Sequence, residues 1–287
     1  LSLYLIVQMI GIIMAQALLN FADPAGYILF IIPSVLVSLA FTPILLSITP
    51  APAFESTKPL NFRRLYEASP LGCVGMFLLG AIFSAQFGMA AVWGTQAGLN
   101  IRDLSIFVAS IYVGGLFLQF PIGWMSDRMD RRKLILGLAI AGAVVLMIPV
   151  LVNAPFLLLI TVGALMGGIS NPLYSLLLAY VNDYLEKPDM ASASAGLMFI
   201  NGLGAISGPI ITGWMMGAIG PHGFFLFMAI IFAVLAGYAG WRMTQRRTTP
   251  ESQGTYTALS PTASVITVEA AMERSEHDTG GTGGGRA

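Results

Sequence analysis

Pro121-Ile122-Gly123-Trp124-Met125-Ser126-Asp127-Arg128-Met129-Asp130-Arg131-Arg132-Lys133 places six charged side chains within seven residues between two long apolar runs, 104–125 and 134–152. Such a knot belongs at a membrane–water boundary, because the runs on either side are long enough to cross a bilayer and the charges are too costly to enter it.

The 287 residues are 56% hydrophobic and only 10% charged, with a mean hydropathy of +0.79. An ordinary soluble domain carries about 25% charged residues, so the composition selects a polytopic membrane protein. A helix needs about 20 apolar residues to span the hydrocarbon core. The segments that meet this test run approximately 1–20, 27–48, 71–97, 104–125, 134–152, 155–180, 193–218 and 223–241. They are continuously apolar and about twice the length of a barrel strand, so the fold class is all-α. A polar, proline-rich connector over 49–70 divides a leading pair of helices, 1–48, from a six-helix unit, 71–242. The tail, 243–287, is rich in Gly, Ser and Thr and is expected to be disordered.

Cationic residues fix the expected orientation. With both termini cytoplasmic, the inner segments hold Lys58, Arg63, Arg64, Arg128, Arg131, Arg132, Lys133, Lys187, Arg242, Arg246 and Arg247, against Arg102 alone outside. The leading helices also read as a diverged copy of the last two. At an offset of 197 residues Gly11 falls on Gly208, Ile13 on Ile210, Pro24 on Pro221, Gly26 on Gly223, Leu29 on Leu226 and Phe30 on Phe227. Parallel six-helix repeats are a transporter architecture, and on that reading the chain holds helices five to twelve of a twelve-helix protein. It begins at Leu1, inside an apolar run, which suggests an N-terminally truncated chain.

The opening stretch resembles the loop signature of the major facilitator superfamily, Gly-x-x-x-Asp-Arg-x-Gly-Arg-Arg-Lys/Arg, through Gly123, Asp127, Arg128, Arg131, Arg132 and Lys133. Asp130 stands where that signature has glycine; Asp tolerates left-handed backbone better than most residues, so the turn is expected to survive. Asn201-Gly202-Leu203-Gly204-Ala205-Ile206-Ser207-Gly208-Pro209 resembles the Gly-Pro helix of the same superfamily, and Gln119 to Gly123 resembles its YcaD-like members. The resemblance implies a helical transporter bundle in which residues 123–133 form a cytoplasmic conformational latch, with Asp127 facing a helix end of the opposite half. It also implies that Gly204, Gly208 and Pro209 let the eleventh helix flex. The plainer alternatives are a positive-inside anchor for the loop and simple helix packing for the glycines. Gly213 and Gly217 repeat the same small-residue spacing.

No span has an ionisable residue in its core, so substrate candidates are neutral and polar: Gln8, Gln86, Tyr112, Asn171, Tyr174 and Asn201. An unsatisfied amide in hydrocarbon costs several kcal/mol, so these must face protein or water. An interhelical hydrogen bond is the alternative for each, and Asn171-Pro172 is a potential helix break. The expected function is secondary active or facilitative transport of a small solute by alternating access in a bacterial inner membrane. A nontransporting receptor or scaffold on the same fold is the alternative. An enzyme is not expected, because the two histidines, His222 and His277, lie in a loop and the tail, and Cys73 reads as a packing residue. The expected partners are the lipid bilayer and a small-molecule solute, for a chain acting as a monomer. The sequence implies no metal, cofactor or nucleic acid.

Overall fold

The structure is a computed structural model that describes residues 2–23, 26–46, 62–185 and 187–245. Its helices are α1 (Ser2–Leu18), α2 (Ile28–Leu45), α3 (Phe62–Ala68), α4 (Pro70–Gly88), α5 (Ala90–Gln96), α6 (Ile101–Ser126), α7 (Arg131–Leu151), α8 (Phe156–Asn182), α9 (Lys187–Ile219) and α10 (His222–Gln245). The all-α expectation holds, and six helices, α4 and α6 to α10, are long and apolar enough to cross a membrane. The other two expected spans appear as α1 and α2, of 17 and 18 residues, each rising about 26 Å and slightly short of a full crossing.

The third expected span, 71–97, is not one helix. It is interrupted at Met89, next to Gly88, where φ −106° and ψ −5° depart from helical values. The Met89 amide still donates to the Ala85 carbonyl and its own carbonyl accepts from Trp93, so the chain jogs without turning back. The expected connector contributes α3 at its end, and Ser69 caps α4 by accepting from the Gly72 amide. The rest of the connector and the tail beyond 245 lie outside the described residues.

Helices α4 and α8 are the most enclosed, and α8 is buried continuously over Met166–Leu178. Around them α6 packs on α8, α9 on α4, and α7 bridges α8 and α10; α1 lies against α6. Two glycine seams hold the bundle. Along α6–α8, a Cβ on Gly114 would strike the Ala164 carbonyl and one on Gly167 the Ile111 carbonyl. Along α4–α9, Cβ atoms on Gly80 and Gly204 would strike the carbonyls of Asn201 and Phe77. Lipid tails are as apolar as leucine, so this backbone approach supplies association that burial alone cannot. Gly213 and Gly217 form no such seam: nothing lies within 4 Å of a Cβ at Gly217, and only the Met89 methyl, at 3.6 Å, meets one at Gly213.

Asn171-Pro172 does not break α8, which runs unbroken through both residues. A proline withholds one donor, freeing the Gly168 carbonyl alone, and the packed neighbours keep the axis intact. Pro209 likewise sits inside a continuous α9.

Candidate functional site

Residues 123–133 form the corner between α6 and α7. The Asp127 amide closes the last turn of α6 on the Gly123 carbonyl, at 3.2 Å. Arg128 lies on the surface with its guanidinium 4.1 Å from the centre of the Trp124 ring, a cation–π contact. Lys133 is exposed.

Asp130 is the N-cap of α7: its carboxylate accepts from the Arg132 amide at 2.9 Å and pairs with the Arg132 guanidinium at 2.9 Å. Its φ of −57° corrects the expectation of a left-handed turn. An aspartate fits here because the position is a helix start, where a side-chain oxygen satisfies an orphan amide. Burial raises the cost of ionising Asp130, but hydrogen bonds from Arg132 and the charges of Arg132 and Lys133 outweigh it, holding the carboxyl below its ordinary range.

Arg131 is the centre of the corner and is fully buried. Its guanidinium reaches both Asp183 oxygens, at 2.6 and 2.7 Å, the Ala179 carbonyl at 3.3 Å and the Ser126 hydroxyl at 3.2 Å. The Asp127 carboxylate is 3.8 Å away. One cation at the start of α7 therefore joins the ends of α6 and α8. Asp127 finds this ionic partner inside the six-helix unit. Nothing in the sequence marks Asp183 or Ser126 as a member of this corner's ionic centre. Asp183 was visible as the first of three acids just past the sixth span, with Glu186 and Asp189, but nothing in the spacing pairs it with a residue 52 positions earlier. A second missed ion pair, Arg64 to Asp189 at 3.0 Å, ties α3 to the first turn of α9.

The six polar candidates do not gather at a single point. Gln86 and Ser170 meet across α4 and α8, the hydroxyl donating to the amide oxygen at 3.0 Å. Gln86 is fully buried, and its Nε2 is without a hydrogen-bond partner among the described residues. Tyr174 and Tyr112 join this region through rings: Phe83 lies 6.1 Å from Tyr174 and 5.9 Å from Phe87, which stacks on Tyr112 at 5.1 Å. Asn171 donates to the Gly167 carbonyl one turn back, and Asn201 donates to the Met76 carbonyl across the α4–α9 seam, at 2.9 Å. Those two are occupied as structural hydrogen bonds. Gln8 sits on α1, partly buried. Gly204 and Gly208 face α4, and Pro209 follows on the same helix.

At the other end of the bundle, Trp93 packs among Phe107, Phe224 and Phe225, with ring centres 4.6, 5.3 and 5.1 Å away. All four rings are buried.

Residues 71–272 match the family model described as Major Facilitator Superfamily. The chain is 26% identical over 184 residues to the uncharacterized MFS-type transporter YfkF of Bacillus subtilis, covering 61% of this chain and 46% of that protein. It is 31% identical over 143 residues to the benzoate transport protein of Acinetobacter baylyi, covering 50% and 30%. With the uncharacterized MFS-type transporter YcaD of Salmonella arizonae it shares 22% over 241 residues, 80% and 60%. The chain thus spans between 30% and 60% of the length of these curated relatives. No solved structure gives a significant match.

Proposed function

Because the chain belongs to the major facilitator superfamily, we propose that it serves secondary active or facilitative transport of a small solute across a bacterial inner membrane, by alternating access, with its C-terminus cytoplasmic. Residues 123–133 are the latch of this cycle, and the observation that carries this reading is Arg131. A buried guanidinium that joins the ends of three helices is costly to part from its carboxylates, so it favours one arrangement of α6, α7 and α8 until substrate binding offsets it. Asp127 is the latch's adjustable member, because it is partly exposed and at the edge of ionic range. The α4–α9 seam supports sliding of α9 at Gly204, Gly208 and Pro209, since its contacts are small and backbone-based.

The solute path runs past Gln8, Gln86, Tyr112, Asn171, Tyr174 and Asn201. Gln86 is the member best fitted to contact solute. Its buried donor costs about 1–3 kcal/mol unless an acceptor reaches it. The name of the Acinetobacter relative makes aromatic carboxylates the first class to assay.

The test is counterflow in proteoliposomes holding the chain, beginning with radiolabelled benzoate and extending to neutral polar solutes. Accumulation of label against an unlabelled internal pool is expected, with Asp127→Ala slowing exchange while the protein stays folded. Full exchange by Asp127→Ala would remove the latch role; no exchange of any class would favour a nontransporting receptor or scaffold.

A further inference from the structure

The seven residues of α3 join α4 to both α9 and α10, although a helix this short is not stable alone. Leu65 is buried in the core. The Arg64 guanidinium meets the Asp189 carboxylate at 3.0 Å, in the first turn of α9. The Phe62 ring lies 5.4 Å from that of Phe199, which is about 15 Å further along the same helix. The Tyr66 and Tyr238 side chains share a hydrogen bond, which reaches α10. Arg63 and Glu67 pair with each other at 2.9 Å, both exposed.

These contacts fall on the part of α9 that precedes its seam with α4. The seam begins at Asn201, whose amide donates to the Met76 carbonyl, and continues at Gly204 and Gly208. Before it, over 187–200, Ala193, Ser194 and Leu197 are buried, and α3 adds a hold near each end, at Asp189 and Phe199. Each hold is open to its surroundings. The Arg64 side chain is 67% exposed, and the Phe62 and Phe199 rings are 45% and 55% exposed. An exposed ion pair contributes little alone, so α3 stays docked only while its contacts act together. Loss of one loosens the others, because a free α3 cannot keep its helical shape.

We propose that α3 is a releasable strap: docked, it pins the first turns of α9 beside α4 and α10; undocked, it leaves residues 187–200 free to open. Through it the connector that precedes Phe62 acts on α9. The docking stands by itself, whereas its consequence for sliding along the α4 seam rests on the transport cycle proposed above.

Hydrogen–deuterium exchange of the intact chain in nanodiscs, read by mass spectrometry, tests the strap without a transport readout. Arg64→Ala should speed exchange over 187–200 about threefold, the scale of one partly exposed ion pair, and leave α7 unchanged. Asp189→Ala should speed it at least as much, and combining the two should add nothing, because both remove the same pair. Phe62→Ala leaves that pair in place and should act on the same stretch; with Arg64→Ala added, the rate there should rise about tenfold. Exchange over 187–200 unchanged in the Phe62→Ala, Arg64→Ala chain would overturn the proposal. So would equal speeding of α7, or additive effects of Arg64→Ala and Asp189→Ala.

Discussion

At one end of the six-helix unit a single guanidinium holds α6, α7 and α8 together; at the other, four aromatic rings hold α5, α6 and α10. The two clusters are buried alike, yet they respond to change differently. Arg131 has directional partners at fixed distances, and losing Asp183 strips a buried charge of its nearest carboxylate. The rings around Trp93 are held by dispersion and shape, which a neighbour can partly refill. A bundle that tilts can let rings slide over one another, whereas an ion pair must break and re-form. In the proposed transport cycle, this difference favours the charged end as the place that stores a conformational preference.

The sharpest way to break the comparison is to remove one ionic partner. Asp183→Ala or Arg131→Ala should destabilise the chain by about 3–5 kcal/mol in thermal unfolding in detergent, and the joint replacement Arg131→Leu with Asp183→Leu should recover much of that. If the joint variant is as unstable as either single one, the charge is not what holds this end. Next in size, Trp93→Ala should cost about 3 kcal/mol, less than the same change in a water-solvated core because lipid is itself apolar. Trp93→Phe should restore most of it, a tolerance that Arg131→Lys should not show, since lysine cannot form the two-pronged pair with Asp183.

A smaller effect separates the cap from the ionic centre. Asp130→Ala should cost about 1 kcal/mol, and Asp130→Asn about half of that because the amide oxygen can still cap. The carboxyl of Asp130 is lowered on folding, so its charge stabilises the folded chain above the unfolded value of about 3.9 and this contribution is lost as pH falls through the lower folded value. Unfolding curves of the chain and Asp130→Asn should therefore separate at pH 6 and draw together toward pH 3. The smallest expected change is at Lys133, exposed at the same corner: Lys133→Ala should alter stability by less than about 0.5 kcal/mol.

The loop itself was legible from residues alone, because charge between apolar runs has one physical place in a membrane protein. Its internal division was not. Asp130 read as a substitute for a turn glycine, but the structure uses it as a helix cap, and capping depends on where α7 starts. Gly204 and Gly208 could be seen as a close-approach pair; Gly213 and Gly217 looked the same, and only the position of α4 tells the two apart. Spacing likewise gave no sign of the Gly114–Gly167 seam as a partnership, since its halves lie on different helices.

By itself, then, the sequence determined that this is an all-helical membrane chain with a charged corner after its fourth apolar run, because hydropathy and length decide spans locally. Only the tertiary structure decided that Arg131 belongs to Asp183, that Gln86 meets Ser170, and that His222 caps α7 at the Pro149 carbonyl. Those pairings join residues 52, 84 and 73 positions apart, and they arise from how helices pack around α4 and α8, which no local pattern encodes.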